Sequence, residues 1–501
     1  MIFEQHYLEC LSQASYFIGD PTSGRAVVVD PRRDISPYLS SAQEHGLSIG
    51  FVIETHFHAD FLSGHLELAE ATGAEIAYGA HAETEFPSRK LAHGERIELG
   101  DVLLEVRHTP GHTPESISIV VYEHADDAEP FGVLTGDALF IGDVGRPDLL
   151  SSKGVTSDEL AACLYDSLHQ QLMTLPDTTR VYPAHGAGSS CGKNLSSETW
   201  STIGDQRATN YAVQAMTKEA FVHVVTEGHS LPPAYFSYDA VRNREVHEIL
   251  DEEASPSPLA LEDVLRKQRA GAVVLDTRDP NEFAIGHLSG SINVGLAGRY
   301  AEYVGGVIQP GAPMILVTEP GMEREAKNRL ARIGFDNVVG FLHEPVAAFV
   351  ANPDELSRSR RLDVAELGRL VESERDLQLI DVRQPGEASK GVNPRCRRDP
   401  AHQAERAAEH PRRLEADRCL LRRRLPVVDR RQPHGGSGLR RRGRSARRLW
   451  RLVRRYRALT AAGGHVSGAG VDLLHSPAVA VRIAEEAEAD VVELVTITDG
   501  A

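Results

Sequence analysis

The stretch THFHADFLSGH, residues 55–65, decides how this chain is read. It brings the imidazoles of His56, His58 and His65 and the carboxylate of Asp60 into one short segment. The run Ile49-Gly50-Phe51-Val52-Ile53 before it has the apolar character of a buried strand. Imidazole and carboxylate are the ligand types that suit zinc and non-haem iron. Alternate residues of an extended segment point the same way, so His56, His58 and Asp60 are expected to face one pocket at the strand's end. A single histidine-rich tract serves equally well as a polar turn. Its weight depends on whether the rest of the chain supplies further ligands.

Three further clusters do so. In RHTPGHTPESISIVV, residues 107–121, Pro110-Gly111 marks a turn and places His112 on a loop between strands expected at 102–106 and 117–121. In VLTGDALFIGDVGRPDL, residues 133–149, Asp137 follows the apolar run Val133-Leu134-Thr135-Gly136. In VYPAHGAGSSCGK, residues 181–193, His185 lies just beyond another strand. Taken singly, a loop histidine is more often a hydrogen-bonded residue than a ligand, and Asp137 is an ordinary turn former. Together they repeat one arrangement: an apolar strand, a Gly or Pro turn, then a ligand-type residue. In open α/β architectures such strand ends converge on the functional face, and a metal site is the better account. The segments between them alternate in the α/β manner, with helices expected at 36–45 and 66–71.

Composition sets the outer bounds. The chain has 501 residues, 41% of them hydrophobic and 25% charged, as expected of a soluble globular protein of several domains. No apolar run is long enough to span a bilayer, and MIFEQHYLEC lacks the regions of a signal peptide. Five scattered cysteines argue against a disulfide scaffold, so a cytoplasmic setting is expected. A net charge of −18 argues against nucleic acid as a partner.

The pieces THFHAD, TPGHTPES, TGDALFIGDVGRPDL and YPAHG, in this order, resemble the metallo-β-lactamase fold. That is an α/β protein built as an αββα sandwich, and the resemblance covers residues 1–250. Within the fold they are similar to the glyoxalase II and persulfide dioxygenase branch. The general pattern of that fold is THxHxDH, serving two metals. Here Phe61 follows Asp60, so one ligand of the second metal is missing, which disfavours a two-zinc hydrolase. What remains supplies the two-histidine, one-carboxylate set that leaves iron(II) open positions.

The resemblance to persulfide dioxygenases implies one Fe(II) held by His56, His112 and Asp137, with zinc as the alternative metal. It leaves His58, Asp60 and His185 as catalytic residues that orient ligands or relay protons, and it assigns no role to His65. The implied reaction is oxidation of a low-molecular-weight thiol persulfide, such as glutathione persulfide, by O₂ to sulfite and free thiol. A zinc thioester hydrolase of the glyoxalase II type is the alternative. Arg146, in GRPDL, matches the family position that contacts the substrate carboxylate; an ion pair with Asp148 or Asp143 is the competing account. Arg207 is a further substrate-binding candidate. Cys191 is either a plain loop thiol or one that holds sulfane sulfur at the site. Such enzymes are generally homo-oligomers, which is the expectation here.

After a linker at Ser255-Pro256-Ser257-Pro258, the run VVLDTRDPNEFAIGHLSGSINV, residues 273–294, resembles the rhodanese sulfurtransferase domain, placed at 258–355. That family's active-site loop opens with a nucleophilic Cys after a strand such as Met314-Ile315-Leu316-Val317. Here the loop reads Thr318-Glu319-Pro320-Gly321-Met322-Glu323, and its glutamates repel an anionic persulfide. A folded, catalytically silent domain is expected. A second copy opens at 360–460, where LQLIDVRQPGE parallels VVLDTRDPNEF, and then breaks off. Residues 395–457 hold 22 Arg, no Lys and six acidic residues. The two readings are a basic arm and a slipped reading frame, and the interruption in mid-motif favours the second. Residues 461–501 form a tail to which no role is attached.

Overall fold

The structure is a computed structural model, and it describes residues 1–149, 155–193, 195–229, 232–362, 364–373, 378–381, 396–398 and 479–482. The chain divides into two compact units, Met1–Thr277 with Val294–Leu342, and Arg278–Asn293 with the described residues from His343 onward.

The first unit opens with β1 (Ile2–Leu8), β2 (Gln13–Asp20), β3 (Arg25–Val29), α1 (Ser36–His45), β4 (Ser48–Ile53), α2 (His65–Thr72), β5 (Glu75–Gly79) and β6 (Arg89–Leu91). These six strands form one sheet in sequence order, antiparallel from β1 to β3 and parallel from β3 to β6. Next come β7 (Arg96–Glu98), β8 (Leu103–His108), β9 (Ile117–Tyr122), β10 (Gly132–Gly136), α3 (Ser157–Ser167), β11 (Arg180–Pro183), β12 (Ser201–Thr202), α4 (Ile203–Thr209), α5 (Lys218–Thr226) and α6 (Phe236–Arg242). Strands β7 to β12 form the second six-stranded sheet.

Period-two alternation explains how the layers stack. In β3, Val27 and Val29 join Ile53, Leu104, Val106, Ile119 and Val121 between the sheets, whereas Ala26 and Val28 pack with Tyr38 and Leu68 of the first helical layer. On the opposite outer face, Val120 and Val133 pack against Leu164 and Phe221. Strands apolar on both faces are what a sheet covered on both sides requires. The result is the αββα sandwich expected from the sequence. The helix expected at 36–45 occupies those residues, and the one expected at 66–71 runs from His65 to Thr72 before Gly73 ends it at φ 73°.

The tract itself departs from expectation. Residues 54–64 form no strand, so His56, His58 and Asp60 do not share one side by alternation. The backbone bends because Asp30 takes it in hand: its Oδ1 accepts the Thr55 N–H at 2.7 Å and its Oδ2 accepts the Thr55 hydroxyl at 2.8 Å.

The remainder of the first unit carries four parallel strands in the spatial order Pro258–Leu259, Val338–Leu342, Met314–Val317 and Val273–Asp276. The end of the sequence-level linker is thus a strand residue. Helices Leu261–Arg269, Tyr300–Val307 and Glu323–Ala331 complete it. Residues Arg33, Asp34 and Leu62 meet this part directly. Arg33 ion-pairs with Glu67 and Asp336, Arg332 holds Asp34 through Nε at 3.0 Å and Nη2 at 2.6 Å, and the Leu62 N–H donates to the Arg332 carbonyl at 2.8 Å. In the second unit, His287–Leu288 pairs with Leu356–Ser357, and Gln378–Asp381 pairs with Cys396–Arg398 and Val479–Arg482. Most of the arginine-rich stretch, and the question of its reading frame, lies outside the described residues.

Candidate metal centre

Each strand-end residue arrives by the same construction, an apolar strand that stops and a turn that releases one side chain. His56 follows β4, His112 lies between β8 and β9, Asp137 follows β10 and His185 follows β11. All four are buried. The carboxylate of Asp137 stands at the middle. Its Oδ2 is 3.7 Å from His56 Nε2 and 3.4 Å from His112 Nε2, and its Oδ1 is 3.5 Å from His185 Nε2.

The far nitrogen of each ring fixes its tautomer. His112 Nδ1 faces the Arg146 carbonyl at 2.9 Å, and His185 Nδ1 faces the Ser12 carbonyl at 3.1 Å. A carbonyl only accepts, so both Nδ1 atoms carry the proton. His56 Nδ1 lies 2.9 Å from the Thr55 hydroxyl, whose one hydrogen goes to Asp30, so this Nδ1 is a donor as well. Three Nε2 lone pairs therefore point at one carboxylate. His56 Nε2, His185 Nε2 and both Asp137 oxygens are buried without a hydrogen-bond partner among the described residues. Lone pairs gathered around an anion repel unless a cation lies between them. Donors held from behind in this way fit a metal. Gly145 permits the approach, because a Cβ there would stand 1.9 Å from the Asp137 carbonyl oxygen.

His58 is placed differently. Its Nε2 lies 3.1 Å from Asp30 Oδ1 and 3.2 Å from Glu54 Oε2, and its ring rests on Phe61 with centroids 4.3 Å apart. Burial works against its charged form, but the two carboxylates override that and hold it well above the ordinary histidine value. Burial drives His56 the opposite way, well below that value, with the neighbouring imidazoles adding to the effect. Asp60 faces His185 Nε2 at 3.3 Å, and burial raises its pKa.

Among the described residues, three groups of ligand atoms include residues of the tract, each within 4.8 Å: His56, His112 and Asp137; His58, Asp60 and His185; and Asp30, Glu54 and His58. Cys191 forms a further such group with Asp137 and His185; burial first, then the charges of Asp60 and Asp137, push its thiol well up. His65 opens α2 with Nδ1 3.6 Å from Glu54 Oε1, away from Asp137.

The two candidate arginines have other duties. Arg146 is buried and holds Asp148 through Nε and Nη2, both at 2.7 Å, while Nη1 donates to the Ser190 carbonyl. Arg207 pairs with Asp177 and donates to the Met173 and Leu175 carbonyls, so it is not brought to the centre. Sequence reasoning missed Asp30, Glu54, Ser12 and Asn243. Asn243 donates to the carbonyls of His58 and Phe61, both at 2.8 Å, and accepts the Ser63 N–H at 2.9 Å. Asp30 had a visible signal, since it closes the apolar run of β3, and its φ of 51° marks a strained turn. Asn243 had none.

An αββα sandwich with histidines and a carboxylate converging at its strand ends defines a metal-dependent protein of the metallo-β-lactamase class. The chain belongs to the metallo-beta-lactamase superfamily: residues 8–185 match that family, and residues 260–352 match the rhodanese-like domain. It is 29% identical over 215 residues to the mitochondrial persulfide dioxygenase ETHE1 of Homo sapiens, covering 42% of this chain and 75% of that protein. It is 30% identical over 188 residues to the hydroxyacylglutathione hydrolase of Hyphomonas neptunium, covering 37% and 67%. Among solved structures, a metallo-beta-lactamase from Staphylococcus aureus subsp. aureus COL is similar at 32% identity and a TM-score of 0.61, covering 68% of this chain and 98% of that one.

Proposed function

We propose that the chain is a persulfide dioxygenase that uses one Fe(II), held by His56, His112 and Asp137. It would oxidise a low-molecular-weight thiol persulfide such as glutathione persulfide with O₂, giving sulfite and free thiol. The observation that carries this reading is the withdrawal of His58. Its Nε2 stands 3.1 Å from Asp30 and 3.2 Å from Glu54, whose charges draw it away from Asp137, and Phe61 offers no ligand. His56 and His112 with the carboxylate of Asp137 then form a two-histidine, one-carboxylate group, a set that suits iron with open positions. The persulfide dioxygenase relative supports the same reading.

Bound iron would supply sites where the terminal sulfur and O₂ meet side by side. The protein's own residues do the rest. Thr55, Arg146 and Ser12 fix the ring orientations from behind. Asp60 and His185, 3.3 Å apart, are placed to hold or pass a proton beside the centre. Phe61 and Phe140, both buried, help keep water out. Cys191 lines the pocket as a neutral thiol against the substrate sulfur.

A zinc-dependent thioester hydrolase is the second reading. It is favoured by the His58, Asp60 and His185 group and by the hydroxyacylglutathione hydrolase relative. Metal analysis with O₂ uptake separates the two. The dioxygenase binds about one iron per chain and consumes O₂ with a persulfide, and Asp137→Ala abolishes both together. Zinc content with thioester cleavage and no O₂ uptake would sink the proposal.

A further inference from the structure

A dioxygenase for a thiol such as glutathione must recognise the carboxylates of the carrier as well as its sulfur. Arg146 is engaged with Asp148 and Ser190, so the anion must find another cation. We propose that Arg299, from the rhodanese-like part of the chain, is the residue that reads the carrier's carboxylate. This inference rests on the persulfide dioxygenase reading and names the substrate class for the same site.

The chain of contacts from Arg299 to the centre is short. Ser12 is its hub: its carbonyl faces His185 Nδ1 at 3.1 Å and accepts the Gly186 N–H, and its hydroxyl donates to the Ala187 carbonyl at 2.8 Å. The next residue, Gly188, is exposed, with φ 100°. A Cβ at Gly188 would stand 2.5 Å from Arg299 Nη1 and 2.9 Å from Ser12 Oγ. The guanidinium therefore lies directly on the loop that leads from His185 to the buried Cys191.

Its orientation is also set. Glu302 accepts from Nε at 2.5 Å and also takes Nη2, which turns the other edge of the fork toward Gly188. Glu302 is drawn in deeply enough that burial raises its pKa, with Asp60 contributing its charge. The Arg299 side chain is 23% exposed, so it is shielded from bulk water and still open to a ligand. A planar guanidinium held from behind by a carboxylate keeps further N–H donors for a second carboxylate. In a tripeptide thiol the terminal carboxylate lies about two residue lengths from the sulfur, roughly 7 Å. The cation lies against Gly188, three residues along the loop from His185.

The test uses the full iron-loaded chain. Removing Arg299 alone strands the buried Glu302, so Arg299→Gln is made with and without Glu302→Gln. Both variants should keep wild-type iron content and kcat. The KM for glutathione persulfide should rise roughly ten- to a hundred-fold. The KM for the persulfide of 2-mercaptoethanol, which has no carboxylate, should not change. Equal shifts for both substrates, or none for either, would overturn the inference. The equilibrium binding of S-methylglutathione, which needs no turnover, gives a second readout. Its Kd should weaken by the same factor in both variants, and unchanged binding refutes Arg299. Absence of O₂ uptake by the wild type with every persulfide would instead refute the dioxygenase reading, and S-methylglutathione binding would still judge Arg299.

Discussion

Replacing Asn243 with alanine tests the idea that residues outside the metal-binding motifs hold the histidine tract in shape. Asn243 is fully buried and serves three backbone groups at once, the carbonyls of His58 and Phe61 and the N–H of Ser63. Alanine leaves all three buried and unpaired, at about 1–3 kcal/mol for each group. Carbonyls tolerate this better than an amide, so a total of about 3–5 kcal/mol is expected. The loss falls on a bend that the hydrogen bonds of Asp30 support at one end only. Hydrogen exchange followed by mass spectrometry should show the peptide spanning residues 55–65 losing protection by about a hundred-fold or more. Metal affinity, measured by competition with a chelator, should fall by about ten- to a hundred-fold, as when supports behind metal ligands are removed. Asn243→Asp should fare no better, because it sets an anionic oxygen against two carbonyls. Unchanged exchange in 55–65, or a stability loss below about 1 kcal/mol, would refute the reasoning.

Arg207→Ala should leave KM untouched and cost under about 1 kcal/mol, because its pair with Asp177 is partly exposed; steady-state kinetics and thermal melting check both. Thr318→Cys should produce no thiocyanate from thiosulfate and cyanide, since the Gly321 N–H is already taken by the Glu323 carboxylate at 3.1 Å; measurable turnover would show the loop to be competent. Burial and the charge of Arg33 push His247 down to about 4. Above pH 6.5 it is neutral folded or unfolded and contributes nothing to the pH dependence. Between 6.5 and 4 only the unfolded chain takes the proton, so stability falls with falling pH by up to about 3 kcal/mol. Melting temperatures of His247→Gln should drop less than those of the wild type from pH 7 to 4.5.

The sandwich and the four strand-end residues were legible because each follows an apolar run broken by Gly or Pro, a local signal. The direction of each ring was not legible. Whether His58 faces the centre depends on Asp30, which ends the preceding strand and comes within reach only once β3 and β4 pair in parallel. The expected extended tract failed for the same reason, since Asp30 bends it. For Arg146 both accounts were visible in GRPDL, and the structure shows the pair with Asp148. The Arg299 contact spans more than a hundred residues, and no periodicity reports such a separation.

The hydrogen bond from the Leu62 amide to the Arg332 carbonyl has a consequence for how this chain can be taken apart. The two family matches, 8–185 and 260–352, look like interchangeable cassettes with a linker between them. Yet the first cassette's histidine tract leans on a carbonyl from the second, and Asp34 beside it is gripped by the same Arg332. A gene that lost the second cassette would still encode every proposed iron ligand, and would lose the splint against which one of them is set. The rhodanese-like segment would then persist by inheritance as a mould for its neighbour.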